Sequence, residues 1–77
     1  MERIIRLHIE RLPEGVYLGT SEDVQGLVVQ GNTVAEVIDY ARDVERMLRE
    51  TRAQHGLDEP AGEPVPESFV VPVVLAA

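Results

Sequence analysis

The sequence predicts an α+β domain built in the order β-β-β-α-β, with one helix packed on one face of a sheet of strand order 3-2-1-4. Three observations carry this. Thr33 to Gly56 holds apolar residues at Val34, Val37, Ile38, Ala41, Val44 and Leu48, steps of three and four that form one stripe of a helix. Residues 3–12 alternate apolar and polar, the period of a half-buried strand. A Val-rich run, residues 68–75, follows a Pro-rich connector and supplies the last strand.

In the first strand, Ile5, Leu7 and Ile9 face the core and Arg6, His8 and Glu10 face outward. Pro13-Glu14-Gly15 is a turn, because proline presets one backbone angle and glycine admits the positive one. Residues 16–21 return as the second strand, with Val16 and Leu18 expected on the core face. Residues 22–26 form a polar loop, and Leu27 to Gln30 a third strand antiparallel to the second.

Thr33 is the expected helix N-cap, with Glu36 at capping-box spacing. Gly56 is suited to the left-handed conformation that closes a helix. Asp43 with Arg46, and Glu45 with Arg49, place ion pairs on the helix's solvent face. Residues 57–67 are expected to lack regular structure, since three prolines and a glycine interrupt them.

In the final strand Phe69, Val71, Val73 and Leu75 share one face, and Val70, Pro72 and Val74 the other. Pro72 lacks a ladder donor, which places the strand at a sheet edge. The crossover through the helix is expected to set it parallel to the first strand and beside it. An edge strand apolar on both faces needs a cover. Val70, Pro72 and Val74 are therefore the expected interface of a homodimer or higher homo-oligomer.

Composition narrows the functional classes. The 77 residues make one domain, residues 1–77. Fourteen acidic residues oppose seven basic ones, a net charge of −7. That argues against direct nucleic-acid binding through a basic surface and favours a basic protein partner. Cysteine is absent, which removes disulfides and thiolate metal sites. The sequence has neither a membrane-spanning apolar run nor a secretion signal, so a cytoplasmic location is expected.

No catalytic residue, metal site or cofactor is expected. Glu22-Asp23 is an acidic pair in a loop, but a Mg²⁺ site needs more convergent oxygens, and Glu10 stands on the outer face of the first strand. His8 has no sequence-local orienting partner, and His55 is a companion of the helix C-terminus. The glycines do not open a helix as a phosphate loop does.

Residues 22–43, EDVQGLVVQGNTVAEVIDYARD, resemble the signature of HicB-like antitoxins: an acidic residue, a short linker, Pro-Gly-Cys, Gly-Asp-Thr, then an acidic amphipathic helix containing alanine. Asp23, Gly26, Gly31, Thr33, Glu36 and Ala41 stand in the corresponding places. Gly15-Val16-Tyr17 in the hairpin and the terminal Val-rich strand with its proline fit as well. Gln25, Leu27 and Asn32 depart from the pattern, replacing Pro, Cys and Asp. Many members carry a further C-terminal DNA-binding domain; with 77 residues taken up by the one domain, none is expected here.

The resemblance implies a degraded RNase H-like fold and a non-catalytic role. The implied partner is a small basic HicA-type toxin, an mRNA interferase whose RNA surface the antitoxin covers. Glu22, Asp23, Asp58 and Glu59 are the expected partner-binding residues. Two alternatives stand beside this reading. One is an orphan homo-oligomer that has no toxin. The other is an RNase H-like metal-dependent nuclease using Glu10, Glu22 and Asp23.

Overall fold

The computed structural model describes residues 2–57 and 59–76. Its elements are β1 (Arg3–Ile4), β2 (His8–Arg11), β3 (Tyr17–Thr20), β4 (Val28–Gly31), α1 (Val34–Gln54) and β5 (Glu63–Pro64). An antiparallel sheet of order β2-β3-β4 carries α1 on one face, and β1 and β5 form a separate two-stranded antiparallel pair. The α+β class and the antiparallel arrangement of the first three predicted strands hold.

The β2–β3 hairpin closes as its turn residues dictate. Leu12 N–H donates to Val16 O at 2.8 Å, and Gly15 N–H to Leu12 O at 2.9 Å. One register differs from expectation. Ile9, Gly19 and Val29 stand opposite one another across the sheet, and Glu10, Leu18 and Gln30 share the other face. Leu18 is therefore on the outer face, not in the core. The reason is proximity of the helix: a Cβ on Gly19 would lie 2.5 Å from Val37 Cγ1, so this position has no room for a side chain.

Both ends of α1 follow from local sequence. Thr33 Oγ1 accepts from Glu36 N–H at 3.1 Å. Glu36 Oε1 accepts in return from Asn32 N–H at 2.7 Å, one residue further back than in the usual capping box. At the other end His55 is the cap and Gly56 takes a φ of 74°. Gly56 N–H reaches Ala53 O and Leu57 N–H reaches Arg52 O, the paired bonds of a Schellman closure. Changing Thr33 to Ala is expected to cost about 1 kcal/mol of stability, read as a lowered urea midpoint.

The core consists of Val24, Leu27, Val29, Val37 and Ala41, with Ile5, Leu7, Ile9, Tyr17, Val44 and Leu48 packed around it. The helix stripe therefore faces inward as its spacing predicts. The loop after β3 contributes more than expected. Val24, placed by composition in a polar loop, is 1% exposed, and Leu27 is 2% exposed.

The C-terminal part differs most. Residues 68–75 form no strand and are exposed, with Val70 at 94%. The contact with the N-terminal strand is made instead by Glu63–Pro64, inside the connector expected to be irregular, and it is antiparallel rather than parallel. The approach is close enough that a Cβ on Gly62, whose φ is 69°, would run into the Ile4 carbonyl. Arg3 fastens it, donating from Nε to Ala61 O and from Nη2 to Gly62 O. The register then excludes the tail. Val65 N–H donates to Glu2 O, so the edge of β1 is already taken by the connector and the ladder is not continued by residues 68–75.

Candidate functional site

The first predicted strand is interrupted at residues 5–7, and the interruption positions the acidic loop. Arg6 N–H donates to Asp23 Oδ2 at 2.7 Å, and Ser21 Oγ donates to Arg6 O at 2.7 Å. Asp23 N–H in turn donates to Ser21 Oγ at 3.1 Å. Two side chains thus do for Arg6 what a neighbouring strand does elsewhere in a sheet. Asp23 has this structural task, whereas Glu22 beside it is exposed and has no hydrogen bond or ion pair to a described residue.

The remaining candidates are dispersed. Glu10 lies exposed on the outer face of β2. Among the described residues, no group of three or more His, Cys, Asp or Glu comes together as a metal site. Glu59 is exposed, and Asp58 lies outside the described residues. Val70, Pro72 and Val74 are exposed on the unpaired tail. His8 is exposed on the outer face of β2, and His55 caps α1. Among the described residues, no helix is long and apolar enough to cross a membrane.

The structure also shows a feature that the sequence pattern does not reveal. A groove of about 620 Å³ lies between α1, the chain at residues 2–7 and the connector at Pro60 and Ala61. Half-buried Ile5, Leu7 and Ile38 line it with buried Ala41, and Arg42, Arg46 and Arg49 also border it. Its origin is a mismatch of lengths. The 21 residues of α1 span about 31 Å, while strands of four residues span about 13 Å. The helix thus extends well beyond the sheet it covers. The signal available in sequence is that length difference, because the apolar stripe reads alike whether or not a strand lies beneath it.

α1 carries the expected ion pairs, Arg46–Asp43 at 3.1 Å and Arg49–Glu45 at 3.6 Å, together with Arg42–Asp39 at 3.2 Å, but Glu45 is half-buried at the groove rather than on the solvent face. Exposed pairs of this kind contribute only a few tenths of a kcal/mol, about 0.3–0.5 each. Glu45 differs from the rest: its Oε2 is buried without a hydrogen-bond partner in the structure.

No family model, no curated protein and no solved structure matches this chain. The functional reading therefore depends on the chain's own residues and on the motif resemblance above.

Proposed function

We propose that the chain is a HicB-like, antitoxin-type interaction protein that binds a small basic HicA-type mRNA interferase and covers its RNA surface, without catalysis of its own. The observation that carries the reading is a net charge of −7 on a domain in which five of the six signature-like positions serve the scaffold. Asp23 holds Arg6, Thr33 and Glu36 cap α1, and Ala41 is buried. A Cβ on Gly31 would press on Val37 N at 3.1 Å, so this glycine admits the helix. Such a scaffold presents acidic side chains to a cationic partner, and long-range attraction raises the encounter rate. The proposal includes a degraded RNase H-like relation for the fold and self-association through the tail that carries Val70, Pro72 and Val74.

The exposed tail favours a second reading, an orphan homo-oligomer with no toxin. The antitoxin reading predicts a neighbouring gene for a small basic protein and the orphan reading predicts none, and the two separate on co-expression with any such companion. An antitoxin forms a stoichiometric complex and suppresses that companion's RNA cleavage; an orphan does neither. Glu22→Lys with Glu59→Lys is the appropriate charge reversal, because Asp23 also holds the backbone. It is expected to weaken the complex by about tenfold or more at low salt, and by less at high salt, where surface charges are screened. Mg²⁺-dependent RNA cleavage by the purified chain, abolished by Asp23→Asn, would instead identify a nuclease.

A further inference from the structure

We propose that the chain is a tail-exchanged dimer: Ser68 to Leu75 of each copy lies in the α1 groove of the other and pairs with the open backbone of Ile5 and Leu7. This rests on the self-association in the preceding reading and specifies the surface that receives the tail.

The surface area points to a missing partner. The chain exposes 6341 Å², whereas a compact monomer of 8.5 kDa exposes about 4,650 Å². The surplus, about 1,700 Å², is roughly twice the ~800 Å² that each partner buries in a standard stable interface. The radius of gyration agrees, at 13.6 Å against about 11.5 Å for a compact chain of this length.

The direction of the chain points to a second copy. The groove is bordered by the chain at residues 2–7 and, from the same copy, by Pro60 and Ala61 of the connector. Antiparallel β5 leads from that connector past Glu2, and none of residues 68–75 of the same copy lines the groove. The groove is long enough to take a tail from elsewhere. From Ile38 to Arg49 it spans about 17 Å of helix, which five extended residues cover, and the tail supplies eight.

The groove also offers unused hydrogen-bonding groups. The backbones of Ile5 and Leu7 belong to no ladder and make no turn, loop or cap bond with a described residue. Arg6 gives its N–H to Asp23 and its C=O to Ser21, which leaves the flanking peptide groups of Ile5 and Leu7, used by no ladder, as the ones the tail would pair with. Pro72 fits this arrangement. If Val71 and Val73 face the ladder, Pro72 between them faces away, where no N–H is needed. One side-chain row of the tail then meets Ile5, Leu7 and Ile38, while the aliphatic stems of Arg42 and Arg46 border it. Glu45, whose Oε2 is buried without a donor, is also in this lining.

The test uses the full chain, and its lack of cysteine leaves engineered thiols unambiguous. Sedimentation equilibrium is expected to show a dimer. Val73→Pro, which removes a ladder donor, should raise the dimer Kd about tenfold or more, while Val74→Pro should change it less than about threefold. Both changes lie in the exposed tail, so neither threatens the fold. Chains carrying Val71→Cys are then mixed with chains carrying Arg42→Cys and treated with a short bis-maleimide. The mixed adduct, identified by mass, should exceed that formed with Val28→Cys on the outer sheet face. A dimer in which the two prolines act equally, or in which Val28→Cys is the preferred partner, overturns the groove assignment and leaves self-association standing. A monomer, or cross-linking only within a doubly substituted Val71→Cys/Arg42→Cys chain, overturns both.

Discussion

Replacing Leu27 with Ala is expected to lower the unfolding free energy by about 2–5 kcal/mol, the range for a buried leucine truncated where the site collapses only partly. Leu27 is 2% exposed and is among the largest fully buried side chains of the domain. It sits between the acidic loop and β4, held by its own N–H to Val24 O at 3.2 Å. A chain of this size has a total stability of about 4–12 kcal/mol, so the loss removes much of it. Thermal melting should shift by about 8 °C or more. A shift within about 2 °C would mean that residues 22–27 do not anchor the core, and the buried position of Val24 would fall with it.

The second large effect is expected at Gly19. A methyl there meets Val37 Cγ1 at 2.5 Å and Val29 Cγ2 at 3.1 Å, and Val37 is 0% exposed with nowhere to retreat. Gly19→Ala should therefore destabilise by about 1–3 kcal/mol, despite alanine's lower backbone entropy cost. The mechanism is tested by adding Val37→Ala. If contact between the two residues is the cause, the double variant recovers part of the loss, and the coupling energy is about 0.5–3 kcal/mol. Strictly additive urea midpoints would place the strain elsewhere.

Local features were legible because their causes are local. Thr33, Glu36 and Gly56 terminate α1 through bonds spanning a few residues, and the Pro13-Glu14-Gly15 turn sets its hairpin in the same way. The stripe from Val34 to Leu48 shows which side of α1 faces inward. What was misread depends on distant partners. Reasoning from alternation fails at Leu18 because the neighbouring helix leaves no volume opposite Gly19; the glycine within the strand was the available sign. Val24 stands alone among polar residues, and one apolar residue has no period to reveal its burial. The Val-rich tail has strand propensity, but a strand also needs a ladder, and the connector at Glu63–Pro64 already occupies the edge of β1. For the candidate site, the acidic pair was visible in sequence; the structural use of Asp23 was not, because Arg6 lies 17 residues away.

The clasp that Ser21 and Asp23 place on Arg6 has a consequence for regulation. The same short piece of chain is held to the acidic loop through Arg6 and carries, on either side of it, the peptide groups of Ile5 and Leu7 that enter no ladder. A ligand that tightens or loosens the clasp alters how firmly those peptide groups are preorganised. Thermodynamic linkage then makes the influence mutual, each occupant changing the other's affinity by the same factor.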